Sequence, residues 1–336
     1  MSIGNGEKPS KINNEDILDL TLRPKDWNNY IGQEALKQNL KVIIEAAKQR
    51  KEVPEHLLLY GNPGLGKTTL AHLIAQEIGT DIRITSGPAM EKAGDLAAIL
   101  TNLTEGSILF VDEIHRLPRL VEECLYPAME DFKLNLVLGR GPMARIMELN
   151  VPRFTLVGAT TRLASISGPL RSRFGATFGL NFYETEDIKK ILKRSSQILG
   201  IETEEEALHT IAKTSRFTPR IANHLLKRVR DFAQVRGEGK ITQGISKSAL
   251  AALEIDELGL TANDKRILEA VIHKFAGGPV GLKTLASATA EEEDTILDIY
   301  EPYLMRLGFI ALTPRGRVAT RLAFEHLGMK APKNLF

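Results

Sequence analysis

Five short apolar runs punctuate the first half of the chain: His56–Gly61, Asp81–Ser86, Ser107–Glu113, Phe154–Thr161 and Thr177–Phe182. Each is nearly continuous in Leu, Ile, Val and Phe, and helix-like sequence separates it from the next. Continuous hydrophobicity, unlike strict alternation, marks strands buried on both faces and implies a parallel sheet covered by helices. Such a sheet carries its functional loops at the carboxyl ends of the strands. Past Thr185 the strand signal stops. Asp187–Leu199, Glu204–Thr214, Pro219–Gln234 and Lys247–Glu254 read as four helices, with Gly237-Glu238-Gly239-Lys240 as the turn before the last.

A third segment begins near Leu258. Helices at Asp264–Phe275 and Glu291–Leu307 bracket a shorter one at Leu282–Ala288, and Phe309 to Ala319 reads as strand, Pro/Gly turn, strand. Three helices and a small hairpin make the winged-helix variant of helix-turn-helix. A chain of 336 residues also exceeds what one core usually organises. We therefore expect a flexible tail at 1–20, a large α/β domain at 21–183, a small helical domain at 184–256 and a winged-helix head at 257–336.

Composition narrows the setting. The net charge is only +2, so any contact with nucleic acid must come from local clusters rather than a global field. Cys124 is the sole cysteine and sits in the apolar helical stretch Leu120–Met129, so no disulfide forms within the chain, which suits a reducing cytoplasm. No apolar run is long enough to span a bilayer, and Met1 to Asn14 is polar and without a signal-like core, which reads as a disordered tail. A soluble, cytoplasmic protein is expected.

The chemistry starts at Gly61-Asn62-Pro63-Gly64-Leu65-Gly66-Lys67-Thr68, which fits G-x-x-x-x-G-K-[ST] at every fixed position. Glycines let backbone N–H groups converge on phosphate oxygens without Cβ obstruction. Lys67 supplies a point charge to the β- and γ-phosphates, and the Thr68 hydroxyl is placed to ligate Mg²⁺. The loop follows the apolar Leu57-Leu58-Leu59-Tyr60 and opens a helix at Thr69–Ile78, whose dipole adds to anion binding. The other half is Ile108-Leu109-Phe110-Val111-Asp112-Glu113, an apolar strand ending in two carboxylates. At the end of a strand neighbouring the phosphate loop, Asp112 can hold Mg²⁺, often through water, and Glu113 can orient and deprotonate the attacking water. The two segments together point to ATP binding and hydrolysis.

Three further positions extend the site. Arg171 and Arg173, in Ser167-Gly168-Pro169-Leu170-Arg171-Ser172-Arg173-Phe174, could reach a neighbouring subunit's γ-phosphate as an arginine finger; by spacing alone they read equally well as a surface pair. Arg220, in Thr218-Pro219-Arg220 at a helix start, could touch the γ-phosphate of its own subunit, with a plain surface role again equal in weight. Thr161, at its strand tip, could hydrogen-bond the nucleophilic water or the γ-phosphate. His115 follows the carboxylates without partners at metal-ligand spacing.

With these residues in place the chain resembles the AAA+ ATPases, and within them the RuvB family of Holliday-junction branch-migration motors. The resemblance runs from about Leu22 to Met329 and rests on stretches such as Leu22-Arg23-Pro24, Thr85-Ser86-Gly87-Pro88, Glu91 to Ala98, Asp112-Glu113-Ile114-His115-Arg116-Leu117, Leu125 to Asp131, Gly158-Ala159-Thr160-Thr161-Arg162, Pro219 to Asn223 and Gly277 to Leu282. It implies a homo-hexameric ring on duplex DNA arms of a four-way junction, working with RuvA, and with RuvC in a resolvasome. Leu22, Arg23 and Tyr183 would line the adenine pocket, and Gly64, Lys67, Thr68 and Thr69 would hold the phosphates. Thr161 would be sensor 1, Arg173 the finger acting in trans and Arg220 sensor 2. Glu130, Asp131 and Phe132 match a segment at the nucleotide-bearing subunit interface. The hairpin from Leu136 through Gly139-Arg140-Gly141-Pro142 to Ile146–Leu149 matches the element that docks RuvA.

The head departs from that pattern. No acidic residue lies between Glu301 and Glu325, so Arg306, Arg315, Arg317 and Arg321 read as a local basic patch for sequence-independent phosphate contacts. Arg317 is the first candidate for DNA contact and Arg315 the second; a solvated wing is the alternative. Family members commonly carry arginines where this chain has Leu312 and Glu293, which implies fewer phosphate contacts here, or contacts supplied from elsewhere. Two other functions stay open: a clamp-loader-type switch that opens a protein ring, and a DNA-binding protein whose assembly ATP controls without turnover.

Overall fold

The computed structural model describes residues 20–138 and 145–332. The tail expected at 1–20 therefore falls almost wholly outside the described residues. Five parallel strands, β1 (Leu57–Tyr60), β2 (Ile82–Ser86), β3 (Ile108–Asp112), β6 (Thr155–Thr160) and β7 (Ala176–Gly179), form one sheet in the order β2-β3-β6-β1-β7. Between β3 and β6 the chain adds an antiparallel hairpin of β4 (Lys133–Leu138) and β5 (Arg145–Asn150). All five apolar runs are strands, but burial on both faces holds only for the centre. Leu57, Leu58 and Leu59 of β1, Ile108 to Val111 of β3 and all of β6 are buried, whereas edge strand β2 exposes Arg83 and Ile84. An edge strand has one neighbour and less cover, so its apolar run signals strand without full burial.

The order also corrects one expectation. β3 does not adjoin β1; β6 lies between them, pairing Leu58 with Gly158 on one side and Val157 with Phe110 on the other. Because all the strands are parallel, the loops after β1, β3 and β6 still open on the same edge of the sheet.

Helices cover both faces. α1 (Glu34–Arg50) and α2 (Lys67–Ile78) pack on one side, and α3 (Ala93–Leu100) and α4 (Arg119–Glu130) on the other. A short α5 (Gly168–Arg171) precedes β7. The small helical domain follows as α6 (Thr185–Ile198), α7 (Glu205–Thr214), α8 (Pro219–Arg236) and α9 (Gln243–Ala252). Its apolar stripe, including Ile188, Ile191 and Leu192, joins the same buried cluster as Leu65, Leu70 and Tyr30. The small domain thus shares a core with the face of the sheet that carries the glycine loop.

The head has its own core around Ile267, Leu285, Tyr303 and Phe324. It contains α10 (Ala262–Glu269) continuing into a π turn at Ala270–Lys274, α11 (Leu282–Thr289), and a helix from Glu293–Thr295 through a second π turn, Ile296–Tyr300, into α12 (Glu301–Arg306). Strands β8 (Ile310–Thr313) and β9 (Gly316–Ala319) form the wing before α13 (Arg321–His326). α10 starts with a capping box: the Asp264 carboxylate accepts the Thr261 N–H at 2.8 Å while the Thr261 hydroxyl accepts from the Asp264 N–H. That aspartate is fully buried because it also meets Arg216 of the small domain.

Candidate nucleotide site

The loop between β1 and α2 is shaped by backbone that favours glycine. Gly64 and Gly66 have φ of 80° and 102°, and Gly66 caps α2, which therefore begins at Lys67, two residues earlier than its apolar pattern suggested. A Cβ on Gly64 would also meet the Arg220 Cβ at 3.0 Å. The Arg220 N–H points to the Gly64 carbonyl at 3.4 Å, so the loop and the first turn of α8 touch through backbone.

Lys67 is 7% exposed, and its Nζ donates to the Gly61 carbonyl at 2.7 Å and the Asn62 carbonyl at 3.1 Å. Burial lowers its pKa from the ordinary lysine value, while Asp112 and Glu113 pull the other way. Glu113 shows the mirror image: burial first, and then the Asp112 charge, raise its pKa, with Lys67 opposing. Glu113 sits at φ 48°, a left-handed conformation unusual for this residue type, immediately after β3. Its N–H donates to Asp112 Oδ1 at 3.0 Å. Strained backbone beside a catalytic candidate is a feature of sites held by their surroundings.

A cavity of about 610 Å³ opens here, and Leu22, Arg23, Gly64, Lys67, Thr68, Thr69, Asp112, Glu113, Tyr183 and Arg220 all line it. That volume falls within the range of small-molecule sites. Thr161 does not line it, yet its hydroxyl is buried without a hydrogen-bond partner. An unpartnered buried hydroxyl costs about 1–3 kcal/mol, which a phosphate oxygen or water would relieve. Together with the glycine-rich loop and the buried lysine, this fits a nucleoside triphosphate. Thr68 and Asp112 offer the hard oxygen donors that Mg²⁺ takes. Among the described residues no group of three acidic, His or Cys side chains could hold a metal alone, so a cation here would be shared with phosphate oxygens.

Two wall residues, Tyr30 and Arg194, escaped the sequence reading. Tyr30 and Tyr183 are both buried, with their hydroxyls 3.3 Å apart, and the Tyr183 hydroxyl donates to the Leu65 carbonyl at 3.3 Å. Burial raises the Tyr183 hydroxyl to about 12, so it remains a donor. Arg194, on α6, donates to the carbonyls of Leu22 and Asn29 and ties the segment before α1 to the small domain. These contacts join residues more than 100 positions apart, and no local motif announces them.

Arg173, Glu130, Asp131 and Phe132 lie outside this cavity. The Arg173 guanidinium pairs with Glu130 at 3.2 Å, donates to the Pro169 carbonyl at 2.7 Å and stacks 4.3 Å over Tyr126. Phe132, with φ 55°, packs edge-on to Phe154. The hairpin pairs Leu136 with Met147 and leaves Ile146 75% exposed; its tip, Gly139 to Pro142 included, falls outside the described residues.

In the head the expected basic patch is largely neutralised. Arg317 Nε donates to Glu301 Oε2 at 2.7 Å, and both side chains are mostly buried. Arg321 pairs with Glu325, and Arg306 with Glu184 of the small domain. The absence of acidic residues between Glu301 and Glu325 did not isolate these arginines, because the pairing carboxylates sit at the ends of that interval and in another domain. Arg315 is exposed at the wing turn, as is Leu312 on β8.

A parallel sheet whose glycine loop is closed over by the first turn of a helix from a second, all-helical domain defines an AAA+ P-loop ATPase. Family models agree along the chain: "Holliday junction DNA helicase RuvB P-loop domain" matches residues 22–180, "RuvB AAA lid domain" 183–256 and "RuvB C-terminal winged helix domain" 257–328. The chain belongs to the RuvB family, the motor ATPases of Holliday-junction branch migration. It is 59% identical over 318 residues to the Holliday junction branch migration complex subunit RuvB of Dehalococcoides mccartyi, covering 95% of this chain and 91% of that one. Its structure is similar to the RuvB Holliday junction branch migration motor of Thermotoga maritima, with TM-score 0.86 and 48% identity over 93% of this chain and 100% of that one. A mutant form of the same T. maritima protein gives the same TM-score and identity over 99% of its chain.

Proposed function

We propose that this chain is the ATP-hydrolysing subunit of a homo-hexameric ring that pulls the duplex arms of a four-way junction through a RuvA-bound complex, with RuvC joining in a resolvasome. The observation that carries the reading is the shared cavity: buried Lys67, the carboxylates of Asp112 and Glu113, and Arg220 of the small domain face one space. A pure assembly switch has no need for a general base at that position. A clamp-loader-type opener calls for a helical collar after the lid, whereas here residues 257–328 match a winged helix domain and β8 and β9 form its wing.

In this reading Lys67 releases its two carbonyl partners to bind the β- and γ-phosphates, and the loop N–H groups hold the rest. Leu22, Arg23 and Tyr183 enclose the adenine. Thr68 would hold Mg²⁺ directly and Asp112 through water, and the ion would supply neutralisation of phosphate charge. Glu113 orients the attacking water and takes its proton, Thr161 fixes that water or the γ-phosphate, and Arg220 reads the γ-phosphate from the lid. Arg173 acts on the neighbour's site, with Glu130, Asp131 and Phe132 at the same interface. Its position outside its own cavity, held near the surface by Glu130 and Tyr126, supports a role in trans.

The exposed Ile146 and Met147 on the hairpin 136–149 suit docking of RuvA. No helix among the described residues is long and apolar enough to cross a membrane, and with a lone cysteine the chain suits work in the cytoplasm. The decisive variant is Glu113→Gln. It should bind ATP with near-normal affinity and lose turnover by at least about 100-fold, the scale of a general base. Retained turnover would remove Glu113 from that role.

A further inference from the structure

A continuous run of contacts leads from Glu113 to the head. His115 Nε2 lies 3.4 Å from Glu113 Oε2, and His115 Nδ1 lies 2.9 Å from the Thr160 hydroxyl. The same hydroxyl accepts the Arg162 backbone N–H at 2.9 Å. The Arg162 side chain then leaves the ATPase domain. Its Nε donates to Asp298 Oδ1 at 3.0 Å and its Nη2 to Asp298 Oδ2 at 2.7 Å, while Asp294 accepts from Nη2 at 2.9 Å. Both aspartates belong to the head's helical stretch that begins at Glu293, Asp294 in its first turn and Asp298 in its π turn.

The protons in this run can be placed by elimination. Thr160 is fully buried and the His115 side chain is 7% exposed, so solvent does not supply partners freely. A neutral imidazole has one N–H. Were it on Nδ1, the bare lone pair of Nε2 would face the Glu113 carboxylate, which is repulsive. With the Thr160 O–H donated to Nδ1, the ring N–H sits on Nε2, the nitrogen that lies 3.4 Å from Glu113 Oε2. Burial, with Arg162 adding to it, lowers the His115 pKa and favours this neutral ring.

We propose that His115 is a positioning residue for Glu113, and that the bidentate Arg162 clamp on Asp298 and Asp294 makes this positioning depend on where the head sits. The head then acts on hydrolysis through Thr160 and His115 without touching nucleotide. A general base displaced by even 1 Å loses much of its effect, so a small shift of Thr160 suffices. The inference rests on Glu113 being the general base.

The test uses the full-length chain and steady-state ATPase measurements on four variants. His115→Ala should lower kcat about 10-fold with KM within about 2-fold, consistent with loss of orientation rather than binding. His115→Gln, whose amide N–H can reach toward Glu113, should recover most of that loss. Asp294→Asn/Asp298→Asn should lower kcat in the same way, and combining it with His115→Ala should give no further fall, since both act through one element. In parallel, the imidazole ¹⁵N shifts of His115 should report the Nε2–H form in the wild type and should move in the Asp294→Asn/Asp298→Asn variant. Additive losses, an unchanged kcat in His115→Ala, or ¹⁵N shifts indifferent to the head variant would overturn the proposal. Equal loss in Ala and Gln variants with a lowered Tm would reduce His115 to a packing residue. Failure of the general-base reading shows up separately, as retained turnover in Glu113→Gln.

Discussion

Arg216 of the lid reaches Asp264 of the head across 2.9 Å, with the aspartate wholly buried and the arginine stacked 4.5 Å over Tyr303. Arg216 and Phe217 both have positive φ, at 55° and 56°, and lead within a few residues to Arg220 in the nucleotide cavity. The same short turn therefore leads to the cavity at one end and meets the head at the other. A rotation of the lid would reach the head through this pair, whereas Arg162 ties the head to the large ATPase domain.

Asp264→Ala should destabilise the protein by about 3–5 kcal/mol, because it leaves the Arg216 guanidinium buried without its carboxylate. Chemical unfolding of the full chain measures this. A loss under about 1 kcal/mol would mean that the ion pair only balances its own desolvation and that the Ile299 carbonyl, 3.2 Å from Arg216, suffices as partner.

Arg173→Ala and Lys67→Ala subunits should each be nearly inactive alone. Mixed, they should regain part of the hydrolysis, since intact Arg173 from one subunit can complete the intact Lys67 site of another. Mixing that restores nothing would place Arg173 within its own subunit's chemistry.

The pH profile of kcat should be narrowed from both sides. Glu113 must be deprotonated to act as base; burial and Asp112 raise its pKa, so activity is lost on acidification at a higher pH than the ordinary glutamate value of about 4.3 implies. Lys67 must be charged; burial lowers its pKa, so the alkaline limb comes below the ordinary lysine value of about 10.4. An acid limb at or under the ordinary glutamate value would contradict the first assignment.

Much of this site is legible in the sequence alone. The loop Gly61 to Thr68 is local, with fixed spacing, and its strand and helix flanks have strong apolar patterns, so both position and chemistry can be read from it. Asp112 and Glu113 stand out because two carboxylates ending an apolar strand have no packing purpose. What stays hidden is long-range. Strand order places β6 rather than β3 beside β1, and no local pattern encodes that choice. Tyr30, Arg194 and His115 gain meaning only from partners brought close by folding. Arg317, expected as the first DNA contact, is instead tied to Glu301. The linear distance between the two hides a pairing that the three-dimensional turn of the wing makes short.

The Glu301 pairing reverses the order of the two wing arginines. Arg315→Ala should weaken duplex binding across sequences alike and reduce the slope of log affinity against log salt by about 1, with stability unchanged. Arg317→Ala should mainly destabilise the head, by about 1–3 kcal/mol, by leaving Glu301 buried and unpaired. If the salt slope falls for Arg317→Ala and not for Arg315→Ala, Arg317 is the DNA contact after all.

In the proposed function, hydrolysis at the cavity of Lys67, Asp112 and Glu113 moves DNA. The most direct measurement is dissociation of a synthetic four-way junction by the purified chain with RuvA and ATP. The wild type should resolve the junction into duplex arms, and Glu113→Gln, still binding ATP, should leave it intact. A wild-type chain that hydrolyses ATP at a normal rate beside an undissociated junction would contradict the coupling.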